Sequence, residues 1–307
     1  MSVQLRVDDL ALGVRGGDTL VQHVSFELHG GTRTALVGES GSGKSLTVLS
    51  IAGLLPSAIE QRSGDIWLRG TSLASWSSAR RRSLCGTSIG VVFQEPMTAL
   101  NPVMTIEAQM LEARRRFTGG AADSAWVSDA LGAMGFDDPR RVQQAWPHLL
   151  SGGMRQRVLV AMALAANPDV ILADEPTTAL DALTRSLVLQ RLTTEASRGA
   201  SVLLVTHDLA SIETWADQVI VMRAGHVCEC GPAAAVLNDP LHPYTAGLLA
   251  CTPTLAGTGL VDLRTTVDAD ALDRSVDGHG CPWWPDKRGY ELIEVGNDRQ
   301  VGVSREP

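Results

Sequence analysis

The sequence predicts an α/β protein: a parallel-sheet core with an antiparallel β-layer before it, a helical insertion within it and a short C-terminal extension. Three observations carry this. A β-rich run, TRTALV (32–37), leads into the glycine-rich stretch GESGSGKS (38–45) and then into the helical LTVLSIAGLL. Two further apolar runs, VILAD (170–174) and SVLLVT (201–206), alternate with helical segments, as strands and crossover helices of a parallel sheet do. From about 105 to 165 the apolar spacing is helical and carries no strand signal.

Ahead of the glycine-rich stretch, LRV (5–7) and VSFEL (24–28) alternate apolar and polar, with Gly16-Gly17 and Gly30-Gly31 marking turns. These predict the antiparallel layer. GDIWLR (64–69) and SIGVVF (88–93) read as further strands, and the polar 72–83 as a short helix with loops. After Gln94, EPMTALNPVMTI brings two prolines and turn residues ahead of helical segments at 105–116 and 123–134. Helices are also predicted at 181–197 and 209–216. QVIVMR and HVCECG, separated by Ala224-Gly225, predict a closing hairpin. Beyond Pro232 the chain reads as helix with proline breaks. After Thr252 it is expected to be loop-like and partly disordered, although Pro282, Trp283, Trp284 and Pro285 are apolar for a free end.

With 307 residues and 44% hydrophobic content, a large core plus a second unit is expected. The net charge of −8 argues against a general nucleic-acid binder, which needs a basic stripe to neutralise phosphates. The short basic runs 80–82 and 114–116 read as solvated helix faces. The opening MSVQLRVDDL lacks a secretory pattern, and no window approaches the ~20 apolar residues that span a bilayer, so a cytosolic chain is expected. Five cysteines, Cys85, Cys228, Cys230, Cys251 and Cys281, are too scattered for a disulfide scaffold; Cys228 and Cys230 read as buried or bystander thiols.

Gly38, Glu39, Ser40, Gly41, Ser42, Gly43, Lys44 and Ser45 have the spacing G-x-x-x-x-G-K-[ST] between a strand and a helix. Small residues let the backbone turn its N–H groups onto phosphate oxygens, and the helix N-terminus adds positive partial charge. Lys44 is expected to reach the β/γ-phosphates and Ser45 to put its hydroxyl on Mg²⁺. Asp174 ends a parallel strand, where it can hold Mg²⁺ alongside Ser45. Glu175 follows and suits a general base for the attacking water. A nucleotide and Mg²⁺ are the expected ligands.

LSGGMRQR (150–157), followed by ILADEPTTALD (171–181) and VTHD (205–208), resembles the ATP-binding subunit of an ABC transporter over residues 3–250. The resemblance implies a P-loop NTPase (RecA-like) core with the ABC-specific helical insertion. It assigns Gln94 to Mg²⁺ and the attacking water, and Ser151, Gly152 and Gly153 to the γ-phosphate of ATP on an opposite subunit. It places Asp181 at the dimer seam and His207 against the γ-phosphate. Met154 stands where many members have Gln, a variant familiar in one importer subfamily. An adenine-stacking aromatic before Val21 is not evident; Leu12 or Val14 occupies that region, which would weaken adenine affinity.

FQEPMTALNPVMTI (93–106) and LHPYTAGLLA (241–250) resemble the oligopeptide, dipeptide and nickel importer ATPases. That implies an ABC domain over 1–235, with the insertion at about 96–165, and an oligopeptide-transporter-type extension over 236–307. The implied function is ATP hydrolysis that powers import of a small solute, a di- or oligopeptide, with nickel or metallophore import, or a soluble non-transport ATPase, as alternatives. The implied partners are a second ABC ATPase subunit, two transmembrane permease subunits and an extracytoplasmic solute-binding protein, with the chain peripheral on the cytoplasmic face of the membrane. No nucleic acid is expected. Some members hold an iron–sulfur cluster through cysteines after the His-Pro-Tyr-Thr segment; only Cys251 and Cys281 are present there, so no cluster is expected.

Overall fold

The computed structural model describes residues 2–93, 99–119, 122–178, 180–250, 290–296 and 298–304. Its first layer is antiparallel. β1 (Val3–Val14) pairs with β2 (Thr19–His29) on one side and with β4 (Ile59–Leu68) on the other, and β4 pairs with the two-residue β5 (Thr71–Ser72). These strands run well beyond the short alternating stretches in the sequence. The cause is a bulge: register shifts between Val7 and Leu10 in one pairing and between Asp8 and Ala11 in the other. Asp9 adopts φ +50, which a short polar side chain tolerates, and its N–H donates to Ser25 Oγ at 2.9 Å. Opposite it Gly64 has φ +83, and a Cβ there would fall 2.4 Å from the Asp9 carbonyl oxygen. The bulge resets the alternation midway, so a simple two-residue period underestimates each strand.

The second sheet holds β3 (Arg33–Val37), β6 (Ile89–Val92), β7 (Val170–Asp174), β8 (Ser201–Val205), β9 (Gln218–Arg223), β10 (His226–Pro232), β11 (Tyr290–Glu294) and β12 (Gln300–Ser304). Across the sheet they run β11-β12-β10-β9-β3-β8-β7-β6. β9, β3, β8, β7 and β6 are mutually parallel, and β10 turns back on β9 as the predicted hairpin. In β8, Val202 and Leu204 enter one core while Leu203 and Val205 enter the other; in β7, Ile171 and Ala173 part from Val170 and Leu172 in the same way. Both faces are therefore covered, which is why these strands read as unbroken apolar runs. Each fully buried Val, Leu or Ile contributes about 1.5–3 kcal/mol.

One core faces α1 (Lys44–Ala52) and the antiparallel layer; the other faces the helices. The insertion comprises α3 (Ile106–Thr118), α4 (Ser124–Gly132), α5 (Pro139–Gln144) and α6 (Gly152–Ala163), and a short α2 (Ser78–Arg82) precedes it. α7 (Ala182–Ser197) and α8 (Leu209–Trp215) are the crossovers. Caps set their starts: the side chains of Thr105, Asp123, Asp138, Ser151, Asp181 and Asp208 each accept a backbone N–H three residues on.

Three expectations need correction. Two arginines in the basic runs are structural ties. Arg81 donates to the Leu73 carbonyl and Gln61, and Arg114 stacks 4.9 Å over Trp126 while donating to the Ala165 carbonyl. Long stems let a guanidinium reach inward from a polar helix face. The polar 72–83 stretch holds the expected short helix, α2, and departs from expectation only at Ser72, which ends β5. The end of the chain is not loop-like throughout: β11 and β12 form a hairpin that joins β10 through Glu229 opposite Val301 and Cys230 opposite Gln300. Its partner strand lies some 70 residues away in sequence, so local pattern could not reveal the pairing. Pro282, Trp283, Trp284, Pro285, Cys251 and Cys281 lie outside the described residues.

Before the hairpin come α9 (Ala233–Asn238) and α10 (Pro243–Ala250), with Val236 and Tyr244 inside the helix-side core. Cys228 is buried there. Cys85 and Cys230 donate their thiols to the Ala52 carbonyl and Gln300 Oε1, and burial pushes the two thiols up to about 11 and about 12.

Candidate functional site

Register alone assembles the site. Leu36 of β3 lies opposite Val205 of β8, and Val205 opposite Asp174 of β7. That line ends β7 and β8 and lies one residue short of the end of β3, and within two residues past it come Gly38, His207 and Glu175. Their backbones continue the ladder: Glu175 N donates to Val205 O at 3.0 Å and Thr206 N to Leu36 O at 3.2 Å. This is the carboxyl edge of a parallel sheet, where such folds place ligands.

The loop between β3 and α1 turns on glycines. Gly38, Gly41 and Gly43 have φ +147, +82 and +98. At Gly38 a Cβ would lie 2.0 Å from the Met222 carbonyl oxygen, and at Gly43 2.8 Å from Val21 Cγ2. Gly38→Ala should therefore cost about 3 kcal/mol, because β9 backbone cannot move aside. A urea unfolding midpoint unchanged from wild type would count against this packing.

Lys44 is buried at the first turn of α1, and its Nζ donates to Gly38 O (2.9 Å), Glu39 O (2.7 Å) and Ser42 Oγ (3.2 Å). All three ammonium donors are aimed into the loop's own curve. Burial lowers the Lys44 pKa, opposed by the carboxylates of Glu175, Asp174 and Glu39. Ser40 and Gly41 lie at the exposed crest of the loop, and Ser42 is buried beneath it.

Asp174 is 7% exposed and lies beside the Ser45 side chain. Burial raises its pKa, and the neighbouring Ser45 hydroxyl opposes the rise. Among the described residues its Oδ1 has no hydrogen-bond partner. A buried, unsatisfied carboxylate oxygen beside a serine hydroxyl is a hard-oxygen donor set, and it fits Mg²⁺.

Glu175 leaves the strand with φ +47, a left-handed backbone that is uncommon outside glycine. Its Oε2 accepts from Thr178 Oγ1 at 2.8 Å, and its Oε1 lies 3.4 Å from Nδ1 of His207, whose side chain is 64% exposed. The structure thus brings Glu175 and His207 together. Thr178, three residues on, was not singled out from sequence, although its place in DEPTT puts it within one turn of Glu175. Gln94 lies outside the described residues.

Ser151, Gly152 and Gly153 open α6. Ser151 caps it by accepting Met154 N–H at 3.3 Å. Among the described residues a Cβ at Gly152 would meet nothing within 4 Å, and one at Gly153 would meet Thr184 and Leu180. This glycine-led helix start is open on its outer side. Asp181 caps α7 by accepting from Thr184 N (2.9 Å) and Thr184 Oγ1 (2.8 Å), bonds that lower its pKa. Leu183 beside it is 73% exposed. Of the two aliphatic residues in the adenine region, Leu12 is fully buried in the core, which leaves Val14, 36% exposed, at the end of β1.

A glycine-turned loop closed on a buried lysine, next to a serine–carboxylate pair and a second acid, defines a P-loop nucleotide-binding protein. Comparison with known proteins gives the family. The ABC transporter family matches residues 21–178, and the oligopeptide/dipeptide transporter C-terminal region matches 228–285. A Bacillus subtilis dipeptide transport ATP-binding protein, DppD, is 41% identical over 268 residues, covering 86% of this chain and 79% of its own. An oligopeptide transport ATP-binding protein, OppD, of Mycobacterium bovis is 41% identical over 328 aligned positions, covering 99% of this chain and 52% of its own. A peptidoglycan transport ATP-binding protein, YejF, of Agrobacterium fabrum is 44% identical over 257 residues, 81% of this chain and 47% of its own. The chain thus spans about half the length of two of these relatives. Among solved structures, a post-hydrolysis dimer of the ATP-binding cassette MJ0796 bound to ADP and Pi superposes with TM-score 0.67 at 25% identity, covering 75% of this chain and 98% of its own. This chain belongs to the ABC transporter family, in the branch that carries the oligopeptide/dipeptide transporter C-terminal region.

Proposed function

We propose that this chain is the ATP-hydrolysing subunit of an importer of dipeptides and oligopeptides. The observation that carries it is the convergence of Lys44, Asp174 and the Glu175–His207 pair at one sheet edge of a chain with this C-terminal region. Lys44 and the loop amides from Gly38 to Ser45 bind the phosphates. Mg²⁺ would be held by Ser45 and Asp174, with Gln94, and would neutralise charge on the β/γ-oxygens. Glu175, steadied by Thr178, accepts the proton of the attacking water, and His207 contacts the γ-phosphate.

The open helix start at Ser151, Gly152 and Gly153 supports a site completed across a dimer. Its N–H groups and dipole suit the γ-phosphate held by another subunit, with Asp181 and exposed Leu183 at the seam. The second subunit is a copy or a related ATPase. Residues 1–235 carry this work, and 236–307 form the extension. Among the described residues no helix is long and apolar enough to cross a membrane. We place the chain on the cytoplasmic membrane face beneath two permease subunits fed by a solute-binding protein. Exposed apolar side chains on or beside the insertion, Val103 (73%), Leu149 (65%) and Trp146 (39%), support a permease docking face.

The test is uptake of labelled peptides by a strain lacking this chain. Uptake should fall and return with the wild-type copy; undiminished peptide uptake would sink the cargo assignment. Val103→Asp should abolish co-purification with the permease subunits while nucleotide affinity stays within about twofold, since a charge cannot enter an apolar interface unpaired. Retained co-purification would move the docking face elsewhere.

A further inference from the structure

The His-Pro-Tyr-Thr segment serves above only as a mark of the subfamily, yet it reaches the nucleotide loop. Tyr244, on α10, is 2% exposed, and its hydroxyl oxygen accepts the backbone N–H of Glu39 at 3.0 Å. The carbonyl of the same Glu39 accepts from Lys44 Nζ at 2.7 Å. The residue at the head of the phosphate loop is therefore held at both ends, by the tyrosine and by the phosphate-binding lysine. Arg223 adds a brace: its guanidinium lies 5.1 Å over the Tyr244 ring, with its Nε 3.8 Å from Glu39 Oε1.

Behind Tyr244 the bonds continue inward. Tyr244 N donates to His242 Nδ1 (3.0 Å); His242 N and Leu241 N donate to the two Glu229 carboxylate oxygens (each 3.1 Å). Glu229 is fully buried in β10. Its Oε1 also accepts from Arg299 Nη2 at 2.5 Å, and Arg299 sits in the turn between β11 and β12. A buried carboxylate costs several kcal/mol unless its oxygens are satisfied, and here two amides and a guanidinium satisfy them. The C-terminal hairpin, the buried acid, the histidine and the tyrosine are one bonded series that ends on the loop.

We propose that Tyr244 is a positioning residue for the nucleotide site: it fixes the Glu39 peptide, and through it Lys44, and the β11–β12 hairpin holds it there through Arg299 and Glu229. Separately, burial pushes the phenol up to about 12, so the hydroxyl stays neutral through the physiological range. Without the hydroxyl, the Glu39 N–H loses its acceptor and the head of the loop must be ordered when nucleotide enters. The effect belongs to ATP affinity and not to the chemical step. This inference rests on the nucleotide-binding reading of the loop.

The test uses the full chain with a fluorescent ATP analogue and a phosphate-release assay. Tyr244→Phe, which removes one oxygen, should raise the analogue Kd and the ATP KM about fivefold, the worth of one hydrogen bond, with kcat changed less than twofold. Arg299→Met, at the far end of the series, should raise KM about twofold. A folded Tyr244→Phe protein with wild-type KM, or one whose kcat falls while KM holds, overturns the proposal. Wild type that binds no analogue overturns the reading of the site and this inference with it; equal binding by wild type and Tyr244→Phe overturns the inference alone. The chain has two tyrosines, Tyr244 and Tyr290, so carbon-13 tyrosine labelling of wild type gives a test that needs no folded Tyr244 variant. The Tyr244 ring signal, assigned with Tyr290→Phe, should shift when a non-hydrolysable ATP analogue binds; an unmoved signal refutes the contact.

Discussion

Glu175→Gln should leave ATP binding within about twofold of wild type and lower phosphate release by ~10²–10³, the range of a lost general base. The amide nearly matches the carboxylate in shape. Its oxygen can still accept from Thr178 Oγ1, which sits 2.8 Å from Glu175 Oε2, so the side chain keeps its place. What it loses is the ability to take a proton. The φ of +47 is a backbone feature that the substitution leaves alone, so folding stability should be close to wild type. If subunits pair over ATP, this variant should also accumulate as an ATP-bound dimer by size-exclusion chromatography, since the step that separates them is slowed. Phosphate release at the wild-type rate would remove Glu175 from the chemistry and leave its contact with His207 without a catalytic meaning.

Lys44→Ala should act at the other step, raising the Kd for ATP by about 10² or more. A buried ammonium that turns from the loop to phosphate would make charge-assisted bonds worth about twice a neutral one, and alanine offers neither charge nor donor. The variant also frees the Gly38 and Glu39 carbonyls and the Ser42 hydroxyl from their shared donor. The loop should then lose its curvature as well as its charge. Isothermal titration with ATP separates this variant from Glu175→Gln: one loses binding heat, the other keeps it and loses turnover. ATP affinity within threefold of wild type would show that the loop amides alone hold the phosphates.

Much of this site is legible in the chain because its parts are local. The loop from Gly38 to Ser45 is eight consecutive residues between a strand and a helix; Asp174 and Glu175 are adjacent; Ser151 to Gly153 open a single helix. A pattern of residue types within one turn or one strand end survives without any knowledge of partners in space. The helix starts were readable for the same reason, since Thr105, Asp123, Ser151 and Asp181 each cap within three residues of themselves.

What escaped depends on pairing at a distance. The extent of β1 and β4 is set by a bulge in which Asp9 and Gly64 oppose each other, and neither residue announces it alone. Arg81 and Arg114 sit in basic runs whose composition says solvent, yet Arg81 folds back onto the Leu73 carbonyl and Arg114 reaches the Ala165 carbonyl across the fold. The hairpin at the C-terminus has weak strand character and gains its place only against the edge of β10.

By itself, then, the sequence determined the fold class, the phosphate loop, the acids and the family, because each is written in contiguous residues whose chemistry is carried by their own backbone. The tertiary structure alone decided that Leu36, Val205 and Asp174 stand on one line, that Glu175 meets His207, and that Tyr244 takes the Glu39 amide. Those contacts depend on the register between strands and on a helix returning about 200 residues later. Register and return paths are set by the whole core's packing, which no local stretch encodes.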